Sequence, residues 1–154
     1  PANKRTLLAL DGSGSMGWGN ISGLPFMSPR MASAAMALVT ARTEPQYHMV
    51  GFSHELVPVK IGARTSLEDA IRTVSKIPMG GTDCALPMIY AREQGVDVDT
   101  FIGYTDNETW YGNVHPVQAL RDYRQTSGIP ARLIVVAAQF VGTVRALSAN
   151  RKTR

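Results

Sequence analysis

An apolar run that changes abruptly into acidic and small polar residues constrains the fold of this chain most strongly. The residues from Leu7 to Leu10 are all apolar, and Asp11, Gly12 and Ser13 follow them directly. A continuous apolar run is typical of a parallel strand that is covered on both faces. Ligands of open α/β sheets bind just beyond the carboxyl ends of such strands. The run therefore predicts the first strand of a buried parallel sheet, with a small polar site at its end.

Helix-like and strand-like segments alternate along the rest of the chain. Hydrophobic periodicity and capping residues predict helices over residues 28–42, 66–77, 85–94 and 115–126. Strands are predicted over residues 47–52, 56–60, 99–104 and 133–138, and the first two are close enough to pair as a hairpin at a sheet edge. Because alternating strands and helices favour right-handed crossovers, we expect an α/β fold of three layers. A mostly parallel central sheet would carry helices on both faces.

The composition limits the class of protein without fixing its function. The chain has 154 residues, of which 44% are hydrophobic and 18% are charged, as expected for one globular domain with its own core. Residues 139–154 contain no apolar run comparable to the earlier strands, and they end in the basic residues Arg151, Lys152 and Arg154. We therefore expect a domain over residues 1–138, followed by a divergent basic segment over residues 139–154.

Charge, cysteine content and hydropathy restrict the environment and the partners. The formal net charge of +4 permits contact with RNA but does not require it. The single cysteine, Cys84, excludes an internal disulfide and suits a reducing compartment, so we expect a cytoplasmic location. No apolar run approaches the roughly 20 residues of a membrane span, which argues against a membrane partner.

Three oxygen-rich segments follow predicted strands or precede a predicted helix. They are Asp11-Gly12-Ser13-Gly14-Ser15, Gly80-Gly81-Thr82-Asp83 and Thr105-Asp106-Asn107-Glu108. In a doubly wound sheet all three can reach the same edge. Their hydroxyl and carboxylate oxygens suit a hard cation such as Mg²⁺ better than zinc or copper.

The order and spacing of these segments resemble the von Willebrand factor A (vWA) domain. The metal-ion-dependent adhesion site (MIDAS) of that family uses Asp-x-Ser-x-Ser, a Thr and an Asp on three loops. The resemblance implies a metal site formed by Asp11, Ser13, Ser15, Thr82 and Asp106. It implies that the hydroxyls bind Mg²⁺ or Mn²⁺ directly or nearly so, whereas the two carboxylates hold it largely through water. One coordination position would stay open for an acidic residue of a protein partner.

Longer motifs narrow the resemblance to the A domain of the Ro (TROVE) autoantigen family. They cover Gly80 to Tyr90, Tyr104 to Trp110 and His115 to Val136. The ring of helical repeats that carries most RNA binding in that family is not represented among these motifs. The resemblance implies a cation-dependent binding module, not an enzyme, within a ribonucleoprotein whose partner is a small non-coding RNA.

An enzyme is the alternative interpretation of the same stretch. Residues 12–17 fit Gly-x-Gly-x-x-Gly, a dinucleotide-binding fingerprint, but that motif requires a helix to start within it, and Gly19, Gly23 and Pro25 delay the helix. A phosphatase of the haloacid dehalogenase type would need an acid where this chain has Ala9. The alternative function is a nucleotide- or phosphoester-handling α/β enzyme that uses Asp11 and Mg²⁺.

Overall fold

Six strands and four helices form the fold in the computed structural model, which describes residues 4–12, 28–78, 81–105, 113–138 and 144–148. The strands are β1 (Thr6–Asp11), β2 (Tyr47–Phe52), β3 (Leu56–Pro58), β4 (Thr100–Thr105), β5 (Arg132–Ala138) and β6 (Val144–Ser148). The helices are α1 (Pro29–Thr43), α2 (Leu67–Ser75), α3 (Leu86–Gln94) and α4 (Pro116–Ser127). None of these helices combines the length and the hydrophobicity that a membrane span requires, within the part of the chain that is described.

The six strands form one sheet in the order β3-β2-β1-β4-β5-β6. Strands β2, β1, β4 and β5 are parallel to one another, whereas β3 and β6 run antiparallel to their neighbours at the two edges. All six residues of β1 are buried, as expected for an interior strand that is covered on both faces. The predicted mostly parallel sheet and the edge hairpin of β2 and β3 are confirmed.

Strand β6 was not expected from the sequence. It lies within residues 139–154, where we predicted no strand comparable to the others, and it pairs antiparallel with β5. The sequence Val144-Arg145-Ala146-Leu147-Ser148 is only partly apolar. An antiparallel edge strand does not need the continuous apolar run of a buried parallel strand. The composition of β6 therefore gave no strand signal. The sequence predicted no strand for this edge of the sheet, and β6 occupies it.

Two helical layers bury the two faces of the sheet. Leu7 and Ala9 of β1 belong to the core beneath α3 and α4, whereas Leu8 and Leu10 belong to the core beneath α1 and α2. This alternation follows from the two-residue period of a strand. Asp11 continues the first set, so it points toward the face that α3 and α4 cover. The predicted three-layer arrangement is confirmed.

The helix starts agree closely with the sequence, and two of the helices, α2 and α4, carry an exposed apolar residue in their first turn. Ser28 caps α1 by accepting a hydrogen bond from the Met31 N–H at 3.2 Å, as its position before Pro29 indicates. Leu67 and Val117 are large apolar residues but are exposed. Each lies in the first turn of its helix, and the buried positions begin two or three residues later.

Candidate metal centre

Asp11 ends the central strand β1 as a buried carboxylate. Its exposed fraction is 0%, and Oδ2 accepts a hydrogen bond from Thr105 Oγ1 at 2.6 Å. Thr105 ends the neighbouring strand β4 and is buried as well. A short hydrogen bond to a charged acceptor is among the stronger ones in proteins, so it fixes the orientation of the carboxylate. The ends of the two central strands are therefore joined through the side chain of Asp11.

The Thr82 loop reaches the same edge through the end of β2. The Gly12 N–H donates to the Phe52 carbonyl at 2.8 Å, and the Asp83 N–H donates to the Ser53 carbonyl at 2.9 Å. The end of β2 thus lies between the backbone beside Asp11 and the backbone beside Thr82. The Thr82 side chain is itself only 4% exposed.

The groups beside Thr82 have pKa values that reflect this crowded edge. Partial burial raises the pKa of the Asp83 carboxyl, and a hydrogen bond from the Ala85 N–H opposes that increase. Burial, followed by the charges of Asp11 and Asp83, raises the pKa of the Cys84 thiol to about 12. The thiol therefore stays protonated at neutral pH, and it packs against the core beneath α3 and α4 as a small apolar group.

Two glycines let the segment after α2 approach the strand ends closely. A Cβ atom at Gly12 would overlap Ile77 Cγ2, and one at Gly51 would lie 2.6 Å from Ile77 Cγ1. Carbon atoms that are not bonded cannot lie this close, so a side chain at either position would collide with Ile77. Each glycine therefore makes room for the buried Ile77 side chain. Glycine at position 12 therefore has a packing reason, independent of any phosphate-binding loop.

The donor set at this edge fits a hard cation. Asp11 supplies carboxylate oxygens, Thr82 supplies a hydroxyl, and Ser53 adds a buried hydroxyl whose Oγ has no hydrogen-bond partner in the described part of the chain. The same described ranges contain no group of three or more His, Cys, Asp or Glu residues that could hold a metal. The described oxygen donors are thus one carboxylate and two hydroxyls, which suit a hard cation.

The structure describes two of the five predicted metal residues, Asp11 and Thr82, and the residues that follow them are both hydrogen-bonded to the end of β2, Gly12 to Phe52 and Asp83 to Ser53. Ser13, Ser15 and Asp106 lie outside the described residues. The sequence interpretation placed Thr105 in an oxygen-rich segment without assigning it a role, and it did not single out Ser53. Ser53 directly follows β2 and Thr105 ends β4, and both strands pair with β1. A polar residue at the end of such a strand is the signal by which they could have been found.

The chain is similar to known Ro proteins. A family model described as the Ro60 vWA domain matches residues 5–152. The RNA-binding protein RO60 of Deinococcus radiodurans is 50% identical over 136 residues, covering 88% of this chain and 26% of that protein. The RNA-binding protein RO60 of Caenorhabditis elegans is 39% identical over 140 residues, covering 90% of this chain and 22% of that protein. The chain thus spans about a quarter of the length of these curated relatives.

Solved structures agree with this family at the level of the fold. The crystal structure of the Deinococcus radiodurans Ro (RSR) protein superposes with a TM-score of 0.84 at 45% identity, covering 99% of this chain and 30% of that chain. The manganese-loaded Plasmodium vivax TRAP protein shares the fold alone, with a TM-score of 0.54 at 17% identity over 88% of this chain and 57% of that chain. Proximal thread matrix protein 1 from the mussel byssus, with a zinc-occupied MIDAS motif, does so with a TM-score of 0.52 at 14% identity, over 88% of this chain and 37% of that chain.

The family match covers nearly the whole chain. The chain therefore belongs to the Ro60 vWA domain family.

Proposed function

We propose that this domain binds a divalent cation, Mg²⁺ or Mn²⁺, at the carboxyl edge of its sheet and uses it to hold an acidic residue of a protein partner. The observation that carries the proposal is the fully buried Asp11 carboxylate, oriented by Thr105 and adjacent to the loop of Thr82. Burying a carboxylate is costly unless hydrogen bonds or a cation compensate its charge. Two proteins that share the fold are described with manganese or zinc, which supports a divalent ion.

Asp11, Ser13, Ser15, Thr82 and Asp106 are the residues that would hold the cation. The cation would supply an electrophilic centre, because neutral hydroxyls and water leave most of its charge uncompensated. The contribution of this chain is to keep Asp11 in one orientation through the hydrogen bond from Thr105. The hydrogen bond from the Asp83 N–H to the Ser53 carbonyl keeps the Thr82 loop at the same edge.

The Ro relatives support a role in a ribonucleoprotein. Both curated relatives carry the name RNA-binding protein, and this chain corresponds to about a quarter of their length. We assign the cation-dependent contact with a protein partner to this domain, within an assembly that handles small non-coding RNA. The proposal is binding rather than catalysis.

Calorimetric titration with Mg²⁺ and Mn²⁺ tests the cation site. The wild-type protein should bind, whereas Asp11→Asn should lose binding because the carboxylate charge is removed. Asp97→Asn is the matched control, since Asp97 lies before β4 at the opposite end of the strand and its side chain is 65% exposed. Equal binding by the wild-type protein and Asp11→Asn would contradict the proposed site.

Water-proton relaxation of bound Mn²⁺ tests the open coordination position. Acetate should displace exchangeable water from the Mn²⁺ complex of the wild-type protein and lower the relaxation enhancement. No change at saturating acetate would contradict the proposed contact with a carboxylate. A panel of phosphoesters and nucleotides addresses the enzyme alternative, and turnover that depends on Asp11 would contradict a pure binding role.

A further inference from the structure

We propose that the Ser53 hydroxyl is a further polar group of this site, where it accepts a hydrogen bond from a water molecule coordinated to the cation. The inference rests on the proposed cation site. It adds the residue that directly follows β2 to a donor set that the sequence motifs assign to other strand ends and loops.

The backbone of Ser53 is fixed between the two predicted metal residues that the structure describes. Its N–H donates to the Glu55 carbonyl at 2.9 Å, and its carbonyl accepts from the Asp83 N–H at 2.9 Å. Phe52, the preceding residue, is the pairing partner of Asp11 in the sheet. Ser53 therefore has Asp11 on one side, through β1, and Thr82 on the other, through the loop before α3.

The Ser53 side chain is buried without a hydrogen bond. Its exposed fraction is 0%, and among the described residues its Oγ is the only buried hydroxyl oxygen left without a partner. Other buried hydroxyls have partners: Ser33 donates to the Arg30 carbonyl at 2.9 Å, and Thr40 donates to the Met36 carbonyl at 3.0 Å. A buried hydroxyl that has left water without gaining a partner destabilises the fold. A bound group at the site would remove that penalty.

Coordinated water is the group that fits this hydroxyl. Mg²⁺ sheds water reluctantly and keeps several water molecules in most protein sites. Water bound to such a cation would be a strong hydrogen-bond donor to a neighbouring oxygen. The Ser53 Oγ can accept such a hydrogen bond at an edge already bounded by Asp11 and Thr82. Groups that hold metal ligands in this way commonly change metal affinity when they are removed.

The inference predicts opposite effects of one substitution on the metal-free protein and on metal binding. In EDTA, Ser53→Ala should leave the thermal midpoint unchanged or raise it, because it removes an unpartnered hydroxyl. The same substitution should weaken Mn²⁺ binding about tenfold in calorimetry, because the water loses its acceptor. A hydroxyl with a merely structural role would lower the midpoint in EDTA and leave the Kd for Mn²⁺ unchanged.

Thr40→Val is the matched control, because Thr40 lies in the last turns of α1 and its buried hydroxyl has a partner. It should lower the midpoint in EDTA and leave the Kd for Mn²⁺ as in the wild-type protein. Ser53→Cys keeps the approximate size of the side chain but weakens its hydrogen bonding. This variant replaces Ser53→Ala in both measurements if Ser53→Ala does not fold.

Three outcomes separate this inference from the proposed function. Weaker Mn²⁺ binding by Ser53→Ala, with an unchanged or higher midpoint in EDTA, supports the inference. Wild-type affinity in Ser53→Ala and Ser53→Cys overturns it and leaves the cation site standing. Absence of Mn²⁺ binding by the wild-type protein overturns both.

Discussion

Gly51 of β2 and Gly103 of β4 are single residues whose replacement should have opposite effects. A Cβ atom at Gly51 would lie within 3 Å of three carbons of the buried Ile77 side chain. A Cβ atom at Gly103 would have no described atom within 4 Å outside its chain neighbours. Gly51→Ala should lower the free energy of unfolding by about 1–3 kcal/mol through overpacking. Gly103→Ala should raise it by about 0.4–1 kcal/mol by restricting the unfolded chain. Urea denaturation measures both changes.

Ile77→Ala provides the control for the Gly51 prediction. It removes the colliding carbons, so Gly51→Ala should cost much less in that background than in the wild-type protein. Additive effects of the two substitutions would show that Ile77 is not the cause of the destabilisation.

Thr105 is a second residue with a separable role, because its methyl group and its hydroxyl can be removed independently. Thr105→Val keeps the shape but loses the donor to Asp11, and it should lower the free energy of unfolding by about 1.5–3 kcal/mol. Thr105→Ser restores the donor and should recover most of that loss. Urea denaturation at neutral pH compares the three proteins, and equal destabilisation by both variants would assign the effect to packing.

The side chain of Tyr123 links helix α4 to the segment that precedes β4. Its hydroxyl donates to the Val96 carbonyl at 2.7 Å and accepts from the Val98 N–H at 2.7 Å. Its ring packs edge-to-face against Phe101, with centroids 5.0 Å apart. Tyr123→Phe keeps the ring contact but leaves two backbone groups without their partner. We expect the free energy of unfolding to fall by about 1–3 kcal/mol, measured by urea denaturation.

Tyr90→Phe in α3 is the matched control for that prediction. Tyr90 packs against the same core but is only partly buried, so the loss of its hydroxyl should change stability by less than about 0.5 kcal/mol. A similar effect of the two substitutions would contradict the assignment of a connecting role to the Tyr123 hydroxyl.

The sequence predicted most elements because each has a local signal. Apolar runs identified β1, β4 and β5, and Ser28 and Ser66 marked the starts of α1 and α2, where both now accept capping hydrogen bonds. Strand β6 had no such signal, because its pairing with β5 depends on a contact between strands rather than on a continuous apolar run. The roles of Ser53 and Thr105 could not be predicted from the sequence for a related reason. Their importance depends on which strands lie beside β1, and the sheet order is a tertiary property.

An ion pair between Arg5 and Asp99, at the end of the sheet opposite the candidate site, makes the stability of the whole molecule depend on pH. Arg5 donates side-chain hydrogen bonds to both carboxylate oxygens of Asp99, at 2.9 and 3.1 Å. These bonds lower the pKa of Asp99 from 3.8 to about 2. Because the folded-state pKa lies below the unfolded value, this carboxylate stabilises the fold above pH 3.8, and the contribution disappears as the pH falls toward about 2.

Asp99→Asn should therefore make the stability of the molecule less sensitive to acid. Between pH 4 and about 2, the urea midpoint should fall less steeply in this variant than in the wild-type protein. Asp97→Asn is the control, since the Asp97 side chain is 65% exposed and lies 3.3 Å from Arg5, where an exposed ion pair contributes little. The same slope in the wild-type protein and in Asp99→Asn would refute the assignment.

The central position of β1 also decides when the fold can form during synthesis. Arg5 pairs with Asp99, just before β4, and Asp11 pairs with Thr105, at the end of β4; each partner lies 94 positions later in the chain. At about 5–20 residues per second, a ribosome needs about 5–20 s to cover that distance. Strand β2 can pair with one edge of β1 earlier. Pairing of the other edge, and the hydrogen bond from Thr105 to the Asp11 carboxylate, require β4. Because such long-range parallel pairing is slow, one edge of the apolar run Leu7–Leu10 stays unpaired while the chain up to β4 is synthesised, and an unpaired apolar strand is prone to aggregation.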